Sequence, residues 1–188
     1  MATIDDSNYR VGGVELYFSA TVGHASLYST AGGKERGAAF RNAAHNLGNI
    51  VTSEISTDVT YLEHFITVTG KRRRDKVVAN MESLSISFTF DEINEENMQK
   101  AFLASELTKA GMLAPLMKPT QRGSASLKFR TETNASMVYS IPKVTIRPDG
   151  PMSIGDGTDW WSQPMIIDAE YCATADWWAS KPYGYIQI

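Results

Sequence analysis

Residues 81–102 read Met81-Glu82-Ser83-Leu84-Ser85-Ile86-Ser87-Phe88-Thr89-Phe90-Asp91-Glu92-Ile93-Asn94-Glu95-Glu96-Asn97-Met98-Gln99-Lys100-Ala101-Phe102. The first half has period two. Leu84, Ile86, Phe88 and Phe90 fall on one face of an extended strand, and Ser83, Ser85, Ser87 and Thr89 on the other. The second half changes period. Asn94 suits a helix N-cap, and Glu95 and Glu96 follow in the first turn, where the helix dipole favours acids. With Asn94 as cap, Ile93 and Met98 occupy the two positions of a hydrophobic staple. Met98 and Phe102 share a helix face. The stretch therefore predicts a strand running into a helix that folds back on it. The expected helix–sheet core is Leu84, Ile86, Phe88, Phe90, Ile93, Met98 and Phe102. The helix is expected to end near Ala110, with Lys109 in its last turn and Gly111 as a left-handed cap, or earlier, near Ala104.

Outward from this stretch, strands are expected at Val14–Ala20, Gly48–Thr60 and Tyr61–Thr69. Further strands are expected at Ser124–Thr131, Ser136–Arg147 and Met165–Thr174, with a short one in the aromatic tail at 176–188. Pro142 inside its strand implies a sheet edge or a bulge. In the last long strand Met165, Ile167, Ala169 and Tyr171 are placed on one side, and Ile166, Asp168, Glu170 and Cys172 on the other. The segment 19–46 keeps no period and reads as a long loop of functional or disordered character. About seven strands and one helix, without βα alternation, give a mainly β fold in one domain, 1–188. The expected architecture is an antiparallel β-sandwich or open barrel with one flanking α-helix.

Composition narrows the function. The chain has 188 residues, a hydrophobic fraction of 43% and a net charge of -3. That is ample for a core and argues against a surface that grips nucleic acid all over. One cysteine, Cys172, excludes an internal disulfide and a multi-cysteine metal cage. The opening residues Met1-Ala2-Thr3-Ile4-Asp5-Asp6 are polar and acidic, unlike a signal peptide, and no apolar run suits a membrane helix. The expectation is use in the cytoplasm, or export by another route. His24, His45 and His64 show no zinc-site spacing. Cys172 beside Glu170 does not suit a nucleophile. Asp156-Gly157-Thr158-Asp159 lacks the spacing of a calcium loop and reads as a turn. No phosphate loop or nucleophile elbow occurs. The chain is expected to be neither an enzyme nor a cofactor binder.

Two polar features remain. Lys71-Arg72-Arg73-Arg74-Asp75-Lys76 lies between two strands, on a projecting hairpin at about 70–79. It reads as a solvated tip, a phosphate contact or a partner for acids on another subunit. The stripe Ser83, Ser85, Ser87 and Thr89 reads as the wet face of an ordinary sheet. Its short hydroxyls, however, offer no cation to a phosphate.

Several landmarks together resemble the tail tube proteins of long-tailed bacteriophages. They are Tyr9-x-x-Gly12 before Leu16-Tyr17-Phe18, Leu47-Gly48-Asn49 before a strand, and Tyr61-Leu62-Glu63-His64 before the basic loop. The Ser-and-Phe strand ends in Asp91-Glu92-Ile93-Asn94-x-x-Asn97, and Pro142-Lys143-Val144 and Tyr183-Gly184-Tyr185-Ile186 close the series. The segment 19–46 and the pairs Trp160-Trp161 and Trp177-Trp178 depart from that pattern. The resemblance implies a structural virion protein whose hexameric rings stack into a tube that carries genomic DNA without specific binding. It implies assembly in the host cytoplasm, no catalytic residues, and tape measure, terminator and distal tail proteins as neighbours at the tube ends. It also implies that Lys71, Arg72, Arg73, Arg74 and Lys76 reach an adjacent subunit or ring. The polar sheet face, Ser83, Ser85, Ser87 and Thr89 with Glu54, Asp58, Asp168 and Glu170, would then line the channel. The alternative is a β-sandwich that binds carbohydrate or nucleic acid through its tryptophans and the basic run.

Overall fold

The computed structural model describes residues 13–27, 36–92, 94–106, 112–130, 136–154, 161–172 and 183–187. The strands are β1 (Val14–Ser19), β2 (Ile50–Val68), β3 (Lys71–Phe90), β4 (Ser105–Glu106), β5 (Leu113–Ala114), β6 (Gln121–Arg130), β7 (Ser136–Pro148), β8 (Gln163–Ala169) and β9 (Tyr185–Gln187); the helix α1 is Glu95–Ala101. The protein is mainly β. A 7-stranded antiparallel sheet has the order β1-β6-β7-β8-β3-β2, with β9 also paired to β7, and β4 pairs β5 in a separate small ladder.

The sheet is open but curled. Buried side chains from β1, β3, β6, β7 and β8 form one cluster, including Leu16, Ile86, Phe88, Leu127, Ile141, Met165 and Ile167. Ser53 and Ile55 of β2 border the same crevice as Phe129, Tyr139 and Ile186 of the far strands. The two edges come near each other through the segment before β2, where Leu47 N donates to Leu16 O at 2.9 Å and Tyr17 bridges Asn46. Hydrophobic burial on the inner face is the main stabilising contribution.

The alternation in the quoted stretch is realised. Ile86, Phe88 and Phe90 are buried, and Ser85, Ser87 and Thr89 are half-exposed on the opposite face. Elsewhere the sequence reading needs correction. The two strands expected at 48–60 and 61–69 are one strand, β2. β7 is interior to the sheet, so Pro142 is accommodated by a bulge and not at an edge. Ser124 alone stands opposite Pro142 and Lys143, and its hydroxyl donates to Pro142 O at 2.8 Å. On the other side of β7, Pro142 falls in the interval between the pairings with β8 and β9, where a missing N–H breaks no ladder. β8 ends at Ala169, and past that point the alternation lapses: Tyr171 is exposed and Cys172 buried.

Asn94 caps α1 as its sequence suggests, accepting from Asn97 N at 2.8 Å. The helix stops at Ala101 with Phe102 as C-cap, near the shorter of the two expected ends. Its docked face differs from the expected one. Asn97, Lys100 and Ala101 are the buried residues. Phe102 is 37% exposed and Met98 is half-buried, so neither anchors the helix. The reason is a buried carboxamide. Asn97 Nδ2 donates to Leu47 O at 3.0 Å and to Glu92 O at 3.2 Å, which fixes the rotation of the helix and turns the 98/102 edge outward. Ile93, the other staple residue, lies outside the described residues, as do Lys109, Ala110, Gly111 and Asp156–Asp159.

The described parts of segment 19–46 do carry structure. They hold two short 3₁₀ turns and a small second cluster of Leu27 and Phe40 on Tyr17.

Candidate assembly surface and the polar sheet face

Beyond Ser85 no third strand pairs with β3 among the described residues, while β2 and β3 stay paired out to Val68 and Lys71. The outer part of this hairpin is therefore a free two-stranded ribbon. Its 12 to 14 residues per strand span roughly 40 Å at about 3.3 Å per residue. Thr69 and Gly70 turn it, both with positive φ, 50° and 74°, as a two-residue type I′ hairpin turn requires.

The ribbon's composition is unusual for a solvated hairpin. A hairpin in water alternates apolar and polar. Here the neighbours Tyr61 and Leu62, Phe65 and Ile66, and Val77 and Val78 are all exposed large hydrophobics. Neighbouring residues point to opposite faces, so both faces of the ribbon carry exposed apolar side chains, uncovered among the described residues. Isolated two-stranded ribbons are marginal in water.

The basic run sits at the distal end of this ribbon, along the start of β3. Some of its charge is used locally. Arg74 Nη1 donates to Glu63 Oε1 at 2.6 Å, the Arg72 guanidinium stands 4.3 Å over the Phe65 ring, and His64 Nδ1 meets Asp75 Oδ1 at 2.7 Å. These exposed contacts are worth little individually. The side chains of Lys71, Arg73 and Lys76 have no partner among the described residues.

The polar face assembles as a set of cross-strand rows. Glu54 pairs with Ser87, Asp58 with Ser83, and Ser85 with both Ser56 and Asp168. The expected lining residues thus share one face of the sheet. That face is not, however, the cation-free wall that the hydroxyl stripe suggests. β7 pairs Thr145 with Asp168 and Arg147 with Ile166, and β6 pairs Arg122 with Thr145. Arg147 Nε reaches Asp168 Oδ2 at 2.8 Å. Glu170 lies between Lys143 Nζ at 2.8 Å and Arg122 Nε at 3.3 Å, and it also accepts from the Thr145 hydroxyl. The Lys143 and Thr145 donors hold the Glu170 carboxyl below its usual range. Asp168 and Glu170 are therefore neutralised locally. The signal was in the sequence: Lys143, Thr145 and Arg147 alternate with Val144 and Ile146, which are buried.

The remaining candidates do not converge. His24 and His45 lie with ring centroids 5.4 Å apart; burial, and then the charge of His45, pushes His24 down. His64 is far along the ribbon. Among the described residues no three His, Cys, Asp or Glu side chains form a group able to hold a metal. Trp161 packs against Phe90 with centroids 5.5 Å apart and joins the core, and Trp160, Trp177 and Trp178 lie outside the described residues. Among the described residues no helix is long and apolar enough to cross a membrane.

No family model matches this chain, and no curated protein matches it.

Proposed function

We propose that the chain is a structural assembly protein, a subunit of stacked hexameric rings forming a tube of the kind found in the tails of long-tailed phages. One observation carries the reading: a paired ribbon about 40 Å long whose two faces both carry exposed large apolar side chains. Covering an exposed Val, Leu, Ile or Phe side chain contributes about 1.5–3 kcal/mol. A ribbon with this composition is a liability in a monomer and an anchor between copies. The order of landmarks from Tyr9 to Ile186 supports the same reading independently. In this reading the ribbon seats on a neighbouring copy, its free cations Lys71, Arg73 and Lys76 meet acids there, and the curled sheet contributes to the wall. The chain then works in the virion tail, meets the tube-end proteins there, and has no catalytic task.

The test is electron microscopy of the purified chain beside the triple variant Lys71→Glu, Arg73→Glu, Lys76→Glu. Rings or tubes from the wild type that the variant no longer forms, with folding intact by circular dichroism, are expected. A monomeric wild type retained on a carbohydrate or DNA resin would replace this reading with that of a binding module.

A further inference from the structure

A cleft of about 670 Å³ lies between α1 and strands β1 and β6. Lys100 stands in it, with its side chain 10% exposed. Its Nζ donates to Glu96 O at 3.1 Å. The carboxylate of Glu96 makes a long ion pair with it, Oε2 lying 3.7 Å from Nζ. An ammonium has three N–H donors; Glu96 engages Nζ through its backbone oxygen and its carboxylate, which leaves one without an acceptor among the described residues. The Phe18 ring lies 5.9 Å from Nζ, and burial pushes the lysine pKa down. A nine-tenths-buried cation normally has its donors met, and here the residue lines an open cleft with one still unmet.

Two more cations line the same cleft, Lys118 and Arg122. The Lys118 side chain is exposed and has no partner among the described residues. Arg122 is held from one side by Glu170 at 3.3 Å. We propose that this cleft is a carboxylate-binding site, in which one carboxylate seats on Lys100 Nζ with Lys118 and Arg122 flanking it. The carboxylate is supplied either by an Asp or Glu side chain of another polypeptide or by a small free acid. Glu95 and Glu96 also line the cleft. They repel a dianionic phosphate more than a monoanion, so the cleft favours a singly charged carboxylate. The proposal stands apart from the assembly reading, since the cleft lies on the body of the molecule and not on the ribbon.

Isothermal titration calorimetry of the full chain tests it at constant ionic strength, with acetyl-Gly-Asp-Gly-amide, acetate and inorganic phosphate as probes. Saturable binding of the peptide or of acetate is expected, weakened at least about tenfold by Lys100→Met. A peptide that binds about tenfold tighter than acetate assigns the site to a polypeptide, and equal affinities assign it to a free acid. Lys118→Ala changes an exposed residue and spares the fold; it should weaken binding severalfold, so the test survives if Lys100→Met fails to fold. No saturable binding at millimolar probe, unchanged affinity in Lys118→Ala, or phosphate binding as tightly as the carboxylates would each overturn the proposal.

Discussion

Asn97 does more to place α1 than any apolar residue of the helix. It is 1% exposed, and its carboxamide ties the helix to Leu47 O before β2 and to Glu92 O after β3. Asn97→Ala leaves both carbonyls without that donor and should cost about 1–3 kcal/mol. Phe102→Ala, at an exposed position, should cost less than about 1 kcal/mol. Urea melts of the two variants check the pair, and the reverse order would mean that the helix is held by its apolar edge. A second residue-scale test concerns pH. Glu170 has its pKa lowered in the fold by Lys143 and Thr145, so the fold favours the charged form. Its contribution is present above the unfolded carboxyl value and is lost as pH falls through the lower folded value. Glu170→Gln should therefore flatten the acid limb of stability below the ordinary carboxyl range. Thermal melts across that range report it; a limb as steep as that of the wild type would mean that other carboxyls set it.

At the scale of elements, the ribbon shows what the sequence could and could not reveal. Its polar tip and the alternation of Ile86, Phe88 and Phe90 were legible, because one buried face imposes period two. Its length was not. The register shifts between Thr60 and Tyr61 and again between His64 and Phe65, and each such irregularity breaks the phase of the alternation. A single strand then reads as two. The helix face was missed for a related reason: a buried Asn and a buried Lys are invisible to a pattern built on apolar residues. The turn yields its own prediction. Thr69 is β-branched and holds φ 50°, a conformation that Asn tolerates better. Thr69→Asn should stabilise the ribbon by about 1 kcal/mol. Slower amide exchange at Ile66 and Arg73 is the readout, and no slowing would mean that the turn does not limit ribbon opening.

For the whole molecule, the polar face poses the sharpest question. A channel that passes DNA must not hold it, and phosphates are held chiefly by Lys and Arg. This face carries Arg122, Lys143 and Arg147, yet Asp168 and Glu170 occupy all three. In the proposed tube those acids are less a repulsive lining than a mask over cations the sheet already has. Exposed ion pairs of this kind contribute at most about 1 kcal/mol to stability, so removing the acids should leave the fold intact. The double variant Asp168→Asn, Glu170→Gln uncovers up to three cations on one face of the sheet. It should bind duplex DNA where the wild type does not. Fluorescence anisotropy with a labelled duplex should give log K falling against log salt with a slope of roughly −2 to −3, the value for three phosphate contacts. Binding by the wild type would show that the mask is ineffective and count against a conduit. A double variant as inert as the wild type would show that this face does not meet a duplex, and the wall of any tube would then have to come from another surface of the molecule.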